Sequence, residues 1–106
     1  MESRVYTVQF LDAEEFRSAH ELTAQARLAA TGLHSESDLR IEAQSWHDEK
    51  LRRVLIDATS PAGMSVLRIL SALLDHEIGP DRYRVDPAST ADRTLIDQWK
   101  RGELVA

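Results

Sequence analysis

The sequence predicts an α+β fold, in which a four-stranded antiparallel sheet carries two helices on one face and is followed by a short C-terminal helix. Three observations carry that expectation. Short runs at Val5 to Phe10, Leu39 to Trp46, Arg53 to Ala58 and Arg82 to Asp86 have the two-residue alternation or uniformly apolar content of strands. After the first and third runs the apolar period lengthens to that of an amphipathic helix. The third run, Arg53-Val54-Leu55-Ile56-Asp57-Ala58, is the most apolar and β-branched stretch of the chain, the composition of a strand at the middle of a sheet.

The elements follow in order. Tyr6, Val8 and Phe10 share one side of the first strand, with Val5, Thr7 and Gln9 on the other. A helix then starts at Asp12 or Ala13, with Glu14 and Glu15 placed against the positive end of its dipole. Its stripe of Phe16, Ala19, Leu22, Ala26, Ala29 and Ala30 implies close approach to the sheet. Gly32 ends it, with Leu33 folding back on the last turn, and His34 to Asp38 is a polar loop. Leu39, Ile41, Ala43 and Ser45 alternate with Arg40, Glu42, Gln44 and Trp46, an edge-like second strand. His47-Asp48-Glu49-Lys50 has the length of a hairpin loop, so the second and third strands pair antiparallel.

Thr59-Ser60-Pro61 begins the next helix, because a hydroxyl accepts from free first-turn amides and proline at the first helical position loses only an unpaired donor. Val66, Leu67, Ile69, Leu70, Leu73, Leu74 and Ile78 form its core stripe, opposite Arg68, Ser71, Ala72, Asp75 and His76. Gly79-Pro80 closes it, and Arg82 to Asp86 is the last strand, stopped by Pro87. Ser89 or Thr90 then caps a final helix with Leu95, Ile96 and Trp99 on one face.

The order β-α-β-β-α-β, with two right-handed crossovers around a central hairpin, is the ferredoxin-like arrangement, with the first and third strands central. The expected edge strands carry Arg40, Glu42, Arg82 and Arg84, charges that discourage edge-to-edge aggregation. The expected organisation is one α+β domain over residues 1–87 and a helical extension over 88–106.

At 106 residues, with 42% hydrophobic and 29% charged side chains, the chain suits one globular core. It has no cysteine, which removes disulfides, thiolate metal sites and thiol nucleophiles. Its net charge of -5 argues against binding phosphate backbones through the whole surface, so nucleic acid is not the expected partner. Met1-Glu2-Ser3-Arg4 leads straight into a strand and no run has the length of a membrane span, so the expected location is cytoplasmic, with no membrane partner.

With both helices on one face, the other face of the sheet is expected to carry Val5, Thr7 and Gln9, then Arg40, Glu42, Gln44 and Trp46, then Arg53, Leu55 and Asp57, and last Arg82, Arg84 and Asp86. Trp46, Arg53, Leu55 and Arg84, joined by Leu95 and Trp99 of the final helix, form the candidate interaction surface, since tryptophan and arginine anchor interfaces. The plainer reading is a face partly covered by that helix. Thr59, Ser60 and Gly63 surround a helix N-terminus and are a weak anion-site candidate, although a cap explains Ser60 and Pro61 without a ligand. The four histidines fall on polar positions without metal-site spacing. No catalytic residue, cofactor or metal is expected. The reading that follows is a non-enzymatic protein-interaction or regulatory module with a protein partner, acting through its open sheet face and C-terminal helix. A homodimer is expected, paired sheet to sheet or through exchanged C-terminal helices. The alternative is a small-molecule-binding domain or small dimeric enzyme with a pocket between sheet and C-terminal helix.

Overall fold

The computed structural model describes residues 4–102, apart from the side chains of Ile41 and Glu42. The readings that rest on Met1 to Ser3, on those two side chains and on the last four residues lie outside the described residues. The elements are β1 (Val5–Phe10), α1 (Ala13–Ala30), α2 (Glu36–Glu42), β2 (Ser45–Asp48), β3 (Arg53–Asp57), α3 (Pro61–Glu77), a 3-10 turn (Pro80–Arg82), β4 (Tyr83–Pro87) and α4 (Thr90–Lys100). The strands form one open antiparallel sheet in the order β2-β3-β1-β4, which puts β1 and β3 in the centre. The molecule is therefore α+β.

Each helix starts where a side chain can take up a first-turn amide. Asp12 accepts from the Glu15 amide at 2.9 Å, Ser35 from Asp38 at 3.1 Å, Ser60 from Gly63 at 3.0 Å and Ser89 from Asp92 at 3.1 Å. Gly79, at φ 94°, turns the chain out of α3 through the left-handed region that side chains avoid. Gly63 is required for a different reason. A Cβ there would lie 2.0 Å from the Asp57 carbonyl oxygen, so the first turn of α3 presses directly on the end of β3.

The main core lies on one side of the sheet. Val8, Phe10, Val54 and Ile56 meet Phe16, Ala19, Leu22 and Ala26 of α1 and Val66, Leu67, Leu70 and Leu74 of α3. Full burial of each large aliphatic side chain contributes about 1.5–3 kcal/mol, so this layer dominates stability. Ala19, Ala26 and Ala30 of α1 are fully buried in this layer, and α1 also packs along α3. Arg82 joins Asp12 at 3.1 Å and Glu15, tying the start of α1 to the turn before β4.

Several sequence expectations are corrected. Leu39 to Glu42 is helical, and the second strand is shorter and later than expected. Leu39 and Ala43 satisfy strand alternation and the four-residue helical spacing equally, and both are buried. The Ser35 cap and the Arg27 guanidinium, which donates to the Leu39 carbonyl at 3.0 Å and to that of Ala43, decide for helix. Arg40 is thereby removed from the sheet. His47 and Asp48 belong to β2, and the loop is 49–52, with Arg52 at φ 52°. Leu33 is 73% exposed and does not fold back on α1, and Ala29 is exposed as well. Arg82 lies in the 3-10 turn rather than in the strand.

Candidate interaction surface

The second face of the sheet is covered by α4. The chain leaves β4 through Ala88, whose amide donates to the Val5 carbonyl at 2.8 Å, and Ser89 and Asp92 then form a reciprocal capping box. That box places Asp92 over the sheet, where its Oδ1 accepts from Arg53 Nη1 at 2.7 Å while Arg53 Nε reaches Asp48 at 3.0 Å. Burial pushes the Asp92 carboxyl up, but the Ser89 amide and the Arg53 guanidinium outweigh it and hold the carboxyl below its ordinary value. One turn on, Ile96 is 3% exposed and packs with Val5 and Leu55, itself 0% exposed. At the far end the Trp99 ring stacks on Trp46 with centroids 6.5 Å apart and planes 18° apart, and Lys100 Nζ stands 5.5 Å from the Trp46 ring centroid.

These contacts place the predicted surface residues. Trp46, Arg53, Leu55 and Trp99 lie on the face that α4 shares with the sheet, with Leu55 fully buried and Trp99 half-buried, whereas Leu95 is half-buried on α4 outside the apolar cluster that Val5, Leu55 and Ile96 form there. Arg84 is not brought to them. It sits on β4, at the opposite edge from β2, and pairs with Asp86 at 2.5 Å. Ile96 and Trp99 pack between α4 and the sheet. Thr59, Ser60 and Gly63 are engaged in local bonds: Thr59 Oγ1 accepts from the Arg4 amide at 2.8 Å, the Thr59 amide donates to Asp57 at 3.0 Å, and Ser60 caps Gly63.

A groove of about 730 Å³ opens beside the tryptophan stack, lined by Arg27, Gln44, Ser45, Trp46 and Lys100. Two elements far apart in sequence supply its cations. Arg27 comes from the last turn of α1, and burial lowers its pKa without removing its charge at neutral pH. Lys100 comes from the last turn of α4. The floor runs onto the outer edge of β2. Because the Asp57 amide donates to the Gln44 carbonyl at 2.9 Å, alternation along the strand turns the backbone groups of Trp46 and Asp48 toward β3 and those of Ser45 and His47 outward.

His47 itself points to the helix side, opposite Trp46, and its ring stands 4.1 Å from His20 and 6.2 Å from Phe16 between centroids. Burial, with the neighbouring His20, pushes its imidazole down to about 4, and its Nε2 is buried without a hydrogen-bond partner. It is not the loop residue expected from the sequence. Arg27 and Lys100 were likewise missed as site residues, since nothing in the spacing shows that residues from the two ends of the chain converge on Trp46. Among the described residues no group of three or more histidine, aspartate and glutamate side chains is placed to hold a metal ion, and no helix is long and apolar enough to cross a membrane. Comparison with protein-family models, with curated proteins and with solved structures finds no match to this chain.

Proposed function

We propose that this chain is a ferredoxin-like, non-enzymatic interaction module that takes an extended acidic segment of a partner protein along the outer edge of β2. One observation carries the reading: an aromatic face and two cations, from Trp46, Arg27 and Lys100, converge beside strand backbone whose N–H and C=O groups point outward. Strand addition supplies affinity through those backbone groups, and side-chain pockets supply selectivity. The groove supplies the second. A carboxylate can lie between the guanidinium and the ammonium, and an apolar side chain can lie on the exposed part of the Trp46 ring. The chain carries a net charge of -5, so acidic segments are repelled by the surface at large and favoured only where these two cations stand together.

Both tryptophans lie at this site, so their fluorescence reports binding directly. Titration with a synthetic peptide of alternating glutamate and valine is expected to give a saturable change that weakens as salt is raised. Lys100→Glu should weaken it about tenfold, a loss of about 1.4 kcal/mol. Ser45→Pro should do the same by removing an outward N–H that the β2–β3 ladder does not use. No saturable change, or an affinity indifferent to both substitutions, overturns the reading.

A further inference from the structure

The other edge of the sheet carries a second, independent surface, and we infer that β4 pairs with the β4 of a second copy about a two-fold axis through Val85. The Arg82 carbonyl accepts from Leu11 at 3.4 Å and the Ala88 amide donates to Val5 at 2.8 Å, which fixes the phase of the β1–β4 ladder. Arg84 and Asp86 therefore turn their backbone groups toward β1, and Tyr83, Val85 and Pro87 turn theirs outward. Val85 is at once the centre of that outward edge and an exposed apolar side chain, 37% accessible.

Charge selects the occupant. Reading outward from Val85, the neighbours are Arg84 on one side and Asp86 on the other, both on the α4 side of the strand and both exposed enough to be reached. Antiparallel pairing through Val85 sets each Arg84 directly opposite the second copy's Asp86, in the closer, non-hydrogen-bonded type of pair. A two-fold axis through Arg84 or Asp86, or a parallel pairing, sets like charges opposite each other instead. Only one register is complementary, and in it the two Val85 residues exchange both of their backbone hydrogen bonds. The Tyr83 amide then donates to the second copy's Pro87 carbonyl, and Pro87, lacking an N–H, ends the ladder there. The same charges and proline that protect a bare edge from indiscriminate pairing thus permit one closed, isologous dimer. The sheet face, covered by α4 in the same chain, is not needed for it.

Sedimentation equilibrium of the full chain over micromolar to millimolar concentration tests this. The expected result is a mass rising from 12.0 kDa toward twice that value. Val85→Pro removes the central outward N–H and leaves the β1–β4 ladder intact, so it should give the monomer mass with an unchanged circular-dichroism spectrum. Arg84→Asp places like charges opposite each other and should weaken association about tenfold or more, while Arg84→Asp with Asp86→Arg should restore it. If Val85→Pro fails to fold, the charge series carries the test. A constant 12.0 kDa for the unmodified chain overturns the inference, as does dimerisation that a folded Val85→Pro leaves unchanged or a double swap no tighter than the single.

Discussion

The indole of Trp99, near the end of α4, lies almost parallel to that of Trp46 on β2, at 18° and 6.5 Å between centroids. This pair closes a contact that begins at Arg53–Asp92 and passes through Ile96 on Leu55. The C-terminal helix is thereby an integral layer of the domain. Its apolar centre and stacked end contribute more than its charged start, because Ile96 is buried and the aromatic pair adds about 0.5–1.5 kcal/mol beyond area burial.

Ile96→Ala is therefore expected to destabilise the whole domain by about 2–4 kcal/mol, and Trp99→Ala, half-buried, by about 1–2 kcal/mol. Urea denaturation followed by far-ultraviolet circular dichroism measures both. Independent melting of α4, seen as an early transition with the rest of the fold unchanged, would contradict a single cooperative layer.

Arg53 lies between two carboxylates, Asp48 and Asp92, all three largely shielded from solvent. Arg53→Met leaves both carboxylates without their cation and should cost about 2 kcal/mol or more. Nuclear magnetic resonance titration should show Asp92 titrating at higher pH in the variant. In the unmodified chain the Asp92 carboxyl is held below 3.8, so its contribution is present above that pH and is lost as pH falls through the folded value. An unchanged Asp92 titration in the variant would remove Arg53 from this role.

His47 gives a pH dependence of its own. Its folded pKa of about 4 lies below the ordinary 6.5, so the unfolded chain binds the proton more readily. Stability is full above about pH 6.5 and falls as pH drops toward about 4, by about 1–2 kcal/mol once the partial solvent screening of the imidazole is allowed for. His47→Phe should flatten that part of the stability curve measured by urea denaturation, next to Phe16 and His20. An equal slope in the variant would contradict the assignment.

Two glycines separate close approach from mere permissiveness. Gly63→Ala forces a Cβ into the Asp57 carbonyl and should destabilise by about 2–4 kcal/mol. Gly32→Ala meets only an ordinary contact at 3.4 Å and should be neutral or slightly stabilising, by at most about 1 kcal/mol. Thermal unfolding of the two variants side by side checks the contrast.

The legible part of the fold was the part governed by local rules. Caps at Asp12, Ser60 and Ser89, the left-handed Gly79 and the apolar β3 all follow from a few neighbouring residues. The second strand was misplaced because Leu39 and Ala43 fit both periods, and the residue that resolves the ambiguity, Arg27, acts from 12 and 16 positions away. Trp46, Arg53, Leu55 and Trp99 were recognisable as one surface, since strand alternation and helix period place them without knowledge of contacts. That Arg27 and Lys100 flank Trp46 depends on where the C-terminal ends of α1 and α4 come to rest, which periodicity does not encode.

The central claim, that the outer edge of β2 beside the tryptophan stack is the partner-binding surface, is tested most directly by amide shift mapping of the labelled chain with the alternating glutamate-valine peptide. The account predicts saturable shifts concentrated at Gln44 to His47, Lys100 and the two indole N–H groups, with the β4 edge at Tyr83 to Pro87 silent. Shifts confined to β4, scattered over the surface, or absent at millimolar peptide would contradict it.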